Sequence, residues 1–143
     1  MHDASLTRAA QAARQGSPEA LAELLRASRA DTLATFARYV QALPALHVPL
    51  RPELNPPLWE LGHIGWFQEY WIARNPALDA GARANPEVPR RQPLRAEADA
   101  LYDSSRVAHD SRWKLALPDA EATRADLACQ LEQTLILLNQ AES

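Results

Sequence analysis

Prolines limit what this chain can fold into, because each one ends or kinks a helix and cannot donate to a sheet ladder. There are eleven, and they bracket three stretches of helical character: 19–43 between Pro18 and Pro44, 58–75 between Pro57 and Pro76, and 119–143 after Pro118. In the first stretch Leu21, Leu24, Leu25, Leu33, Phe36, Val40 and Leu43 recur at helical spacing with Glu23, Arg26, Arg38 and Gln41 between them. Ser17-Pro18-Glu19 supplies a cap, a proline at the first helical position and an acid in the first turn. The second stretch opens at Asn55-Pro56-Pro57, with Asn55 as the expected cap, and runs through Trp59, His63, Trp66, Phe67 and Tyr70 to Arg74 before Asn75-Pro76. The third begins near Asp119 and reaches Gln140, with Leu127, Leu131, Thr134, Leu135 and Leu138 as its apolar stripe. A further helix over Ala4–Gln15, ended by Gly16, carries little apolar content and reads as an arm over 1–16 beside a bundle over 17–143. No strand pattern is present, so the expected fold class is all-α, an up-and-down helical bundle.

Residues 76–118 form a Pro-rich connection far longer than ordinary loops. Pro76, Pro86, Pro89 and Pro93 break up its first half, and its second half has room for a short helix at Ala98–Tyr102. Leu101, Tyr102, Val107 and Trp113 give it packing residues that a disordered linker lacks.

Composition excludes several functions. The net charge of −3 offers no basic footprint for nucleic acid. No apolar run approaches the roughly 20 residues that span a bilayer. The N-terminus has no secretory signal pattern. A single cysteine, Cys129, cannot form an internal disulfide and reads as a packed thiol on the last helix, so a cytoplasmic setting is expected.

Chemistry concentrates in two places. On the 58–75 helix, His63 shares a face with Trp59, Trp66, Phe67 and Tyr70 through three-, four- and seven-residue spacing. Gly62 and Gly65 beside it cost the helix about 1 kcal/mol each against alanine, which points to a close approach to the backbone. The plain reading of His63 is a core imidazole tied to a backbone carbonyl. The other is a metal ligand, and that needs partners, since zinc or iron takes about three protein ligands. No His-x-x-x-His pair occurs, and His2, His47 and His109 are scattered. In the second place, Tyr102 to Trp113, Arg106 and Arg112 each offer a planar fork for a carboxylate. No nucleophile triad, phosphate loop or CxxC is present, so no catalytic residue is assigned.

The segment Leu54 to Glu69, with its W-x-L-x-H-x-x-W-F core at Trp59–Phe67, resembles the corresponding helix of DinB-like domains. It is most similar to the N-terminal domains of hercynine oxygenases and selenoneine synthases, nonheme iron enzymes of the sulfoxide-synthase type. Ala100–His109 and Leu117-Pro118 extend the resemblance, which covers Asp31 to Leu138. It implies that His63 is one of three iron-ligating histidines. It further implies that Arg106 or Arg112 grips a substrate carboxylate, beside a pocket that the His63 face is expected to line with Trp59, Trp66 and Tyr70, and that the complete enzyme uses iron(II) and dioxygen to form a C–S or C–Se bond on hercynine with a thiol or selenium donor. The family's other two histidines lie on a later helix, and a C-terminal domain of the formylglycine-generating type completes its pocket. Neither is encoded here. The expectation is therefore an N-terminal part of a longer enzyme, inactive and without bound iron by itself. Leu127, Leu131, Leu135 and Leu138 are expected to lie open for self-association. The alternative is a stand-alone bundle with a binding or assembly role.

Overall fold

The computed structural model describes residues 4–141, and His2 lies outside them. Five helices form: α1 (Ala4–Gln15), α2 (Pro18–Ala42), α3 (Pro57–Gln68), α4 (Ala98–Tyr102) and α5 (Ala120–Gln140). Among the described residues there is no strand, so the fold is all-α as expected. No described helix is long and apolar enough to cross a membrane.

The start signals act as read at two helices. Ser17 accepts from the Ala20 N–H at 3.2 Å, and Asp119 accepts from the Ala122 N–H at 2.8 Å. At α3 the expected cap is corrected. Pro56 holds the cap position without a side-chain bond, and Asn55 instead donates to Glu60 and accepts from Arg112. The proline that begins the helix has no N–H to cap, which frees the Asn55 amide for longer-range ties.

α3 continues past Gln68 into a π-helical turn over Glu69–Ala73, where the Arg74 N–H reaches back to the Glu69 carbonyl at 2.9 Å. Asn75 then ends the run, its side-chain oxygen accepting from the Ala77 N–H. The long connection is ordered by 3₁₀ turns at Leu78–Arg83 and His109–Trp113 around α4.

α3 packs most extensively on α5 and divides the core in two. Trp59 and Trp66 face α4 and join Ala98, Leu101 and Tyr102, while Leu61 faces α2 and α5 and joins Phe36 and Leu127. α1 lies against α2 and buries no residue. The α5 stripe is corrected: Thr123, Leu127, Gln130 and Thr134 are buried, and Leu131, Leu135 and Leu138 are only half-buried. Cys129 is exposed rather than packed. Two residues along a helix turn a side chain by about 200°, so Cys129 points away from the core when Leu127 points in.

Two glycines set the closest approaches. A methyl group built on Gly62 would lie 2.3 Å from the Tyr102 ring, and one on Gly65 would lie 2.0 Å from the Gln130 side-chain oxygen. These are what approaches the α3 backbone: a tyrosine of α4 and a glutamine of α5.

Candidate functional site

His63 lies half-buried on α3 between aromatic rings. It stacks on Trp59 with centroids 4.8 Å apart and planes 10° apart, and it also lies against Trp66 and Phe67. Its Nδ1 is 2.8 Å from the Tyr102 carbonyl oxygen. A carbonyl only accepts, so Nδ1 carries the proton, and this is the tautomer whose lone pair lies at Nε2. Among the described residues no group hydrogen-bonds to Nε2.

This is the backbone tie of the plain reading, and the carboxylates of Glu60, Asp103 and Asp110, which a metal-ligating ring could also use, are not the acceptor. Glu60 is held by Asn55 at 2.6 Å, and Asp103 accepts from its own neighbour Ser105. The acceptor is main chain, at the last residue of α4.

Trp59 and Trp66 are 1% and 4% exposed, so their rings belong to the core. Their indole N–H groups donate to the Leu101 carbonyl and to Asp99 Oδ1, each at 2.7 Å. Tyr70 packs tilted against Trp66 and carries the guanidinium groups of Arg74 and Arg90 over its ring. Arg112 lies 4.1 Å above the Trp59 ring and donates to Asn55 and to the Val107 and Ser104 carbonyls. Arg106 extends into solvent, 3.6 Å from Asp103. Trp59 therefore contacts both His63 and Arg112, while Arg106 stands apart. His109 ties its turn to the Leu54 carbonyl, and His47 is exposed. Among the described residues no three His, Cys, Asp or Glu side chains gather into a metal site, so these residues alone do not fit a bound iron.

A buried polar ladder beneath this face is the larger surprise. Arg29 donates to Gln68, Gln68 donates to Thr134, Thr134 donates to the Gln130 carbonyl, and Gln130 donates to Glu69. Glu69 is 3% exposed, and a buried carboxylate is costly unless its lone pairs are satisfied. The Leu94 N–H, the Gln130 amide and, at 4.0 Å, Arg74 satisfy it. Arg74 grips both oxygens of Asp99 at 2.7 and 2.8 Å. Those bonds, with that from Trp66, draw the Asp99 carboxyl below its ordinary range against the opposing effect of burial. Burial pushes the Tyr102 phenol up to about 12. Sequence carries one signal for the ladder: Arg29 stands on the apolar stripe of α2, four residues after Leu25 and four before Leu33.

The geometry defines a helical bundle whose central helix holds a tautomer-fixed histidine among aromatics. No family model matches the chain. The chain is 34% identical over 121 residues to hercynine oxygenase of Mycolicibacterium smegmatis, an alignment covering 82% of this chain and 25% of that protein. It is thus a partial, distant relative of that enzyme and spans about a quarter of its length.

Proposed function

We propose that this chain is the DinB-like N-terminal portion of a nonheme iron enzyme that forms a C–S or C–Se bond on hercynine, with His63 as one iron ligand. The observation that carries the reading is the Nδ1–Tyr102 bond, which leaves the Nε2 lone pair unengaged on an aromatic face. Metal-bound histidines characteristically donate their other N–H to a carbonyl or carboxylate, which fixes the ring and raises its basicity. The relative acts on hercynine by its name, and its greater length fits a larger whole protein. The remaining ligands and a formylglycine-generating-type domain come from outside residues 1–143. Iron there would supply dioxygen activation. What this chain contributes is orientation: Trp59 stacks the imidazole flat and Tyr102 fixes its proton, while Arg112, anchored over the same indole, is the cation offered to a substrate carboxylate.

A second reading, a non-catalytic bundle, is favoured by the same bond taken alone, since it also ties α3 to α4. A chimera separates the two. Residues 17–141 would replace the matching segment of the Mycolicibacterium smegmatis enzyme, and hercynine-dependent sulfoxide formation would be assayed with iron(II). The expected result is retained activity that drops at least about 10³-fold in His63→Ala, with circular dichroism unchanged. A folded chimera whose activity survives His63→Ala would rule out the ligand role.

A further inference from the structure

Between α2 and α3 runs a groove formed by two concavities of about 430 and 290 Å³ that share Ser28, Thr32 and Ile64. It extends along α2 from Tyr39 to Leu25, roughly 21 Å at helical rise. Ile64, Phe67 and Trp71 edge it from the α3 side at three- and four-residue spacing, exposed by 39%, 54% and 38%. No α5 side chain lines it.

At the wall of the smaller concavity stands Arg29, only 8% exposed. Its guanidinium donates to the Leu127 carbonyl and to Gln68, both neutral. Among the described residues no carboxylate comes within 4.0 Å of it, so a full positive charge is buried without a counter-charge. Such an arrangement is costly. Burial accordingly depresses the Arg29 pKa.

We propose that this groove docks an amphipathic helix from outside the chain described here, whose apolar face covers Ile64, Phe67 and Trp71 and whose embedded carboxylate pairs with Arg29. The shape favours a helix, since an apolar trough with a row of anchors is what a helix face fills. A small carboxylate would satisfy Arg29 and leave the rest of the trough open. A second copy meeting through the same surface would set one concave groove against another. The inference does not depend on His63 binding a metal.

The test uses the purified chain and a synthetic 18-residue helical peptide with leucines at i, i+3, i+4 and i+7 spacing and one glutamate within the stripe, beside its glutamine twin. Calorimetry is expected to show the glutamate peptide binding about tenfold or more tightly than the glutamine peptide. Arg29→Met is expected to erase that preference. Phe67→Ser, at a half-exposed position that leaves the core intact, is expected to weaken both peptides about tenfold, and Ile136→Ser on α5 to change neither. No binding, equal affinity for the two peptides, or a preference surviving Arg29→Met would overturn the proposal. So would a concentration-dependent dimer that Phe67→Ser dissolves, or Arg29-dependent uptake of decanoate that leaves the peptides unbound.

Discussion

Gly62 and Tyr102 are forty residues apart in sequence and pressed together in the fold. The absent side chain at position 62 is the space the phenol ring occupies. That ring is 4% exposed and packed with Trp59, so it has little room to yield. Gly62→Ala is expected to lose about 1–3 kcal/mol to overpacking, outweighing the roughly 1 kcal/mol gain in helix propensity. Urea unfolding measures the net sign. Because the Tyr102 carbonyl also holds His63, the same variant should shift the ¹⁵N resonances of that imidazole, whereas a ring that simply swung aside would leave both stability and spectrum near wild type. The glycine pair was readable as a close approach. Its partners were not, since one lies in the long Pro-rich connection and the other on α5, and neither local spacing nor composition encodes which distant residue arrives. That a backbone carbonyl would hold His63 was readable, but not that Tyr102 supplies it, because a carbonyl belongs to every residue.

Elements here are joined by polar ties as much as by apolar faces. The five-residue α4 is too short to be stable by itself, and helices of that length rely on tertiary contacts. Asp99 on α4 binds Arg74, just past the π-helical turn, and the Trp66 indole, and this pins the element in place. Because the folded carboxyl is held below its ordinary range, principally by Arg74, its contribution is complete above the ordinary carboxylate pKa and disappears as pH falls through the lowered value. Thermal melts of wild type and Asp99→Asn should therefore differ at pH 7 and converge in strong acid. Asp99 is 47% exposed, so the gap should be modest. A constant gap across the whole pH range would mean that the pair contributes packing and not charge. α4 itself was anticipated only as a short helix for which the second half of the connection has room, α2 was legible from its cap and apolar spacing, and α5 from its apolar stripe. The π-helical turn was not, because its sequence, Glu69–Ala73, is as compatible with continued α-helix as with a wider turn.

At the scale of the molecule, the helix order and the all-α class followed from prolines and apolar periodicity. The open apolar surface followed in part. Reasoning from the leucines of α5 placed an open face there, and Leu135, Ile136 and Leu138 do line a concavity against α2, but the structure also fills α5 with Thr123, Gln130 and Thr134 against α3 and leaves a further groove between α2 and α3. Periodicity identifies which residues share a face, but the tilt of one helix against another decides which faces meet.

The wide turn at Glu69–Ala73 has one more meaning, in the language of insertions and deletions. A π turn is an α-helix that has accommodated one surplus residue. Deleting Trp71 should let the helix close as plain α and keep everything downstream in register, so that Arg74 still meets Asp99 and Asn75 still ends the helix. A single deletion at Leu61, in the α-helical part, would instead rotate all that follows by about 100° and unmake the core. Comparing the melts of the two deletion variants tests this, and a Trp71 deletion as damaging as the other would refute it. On that expectation the chain sheds an aromatic from its open groove without disturbing the Arg74–Asp99 pair just beyond it, so the two features vary separately under mutation.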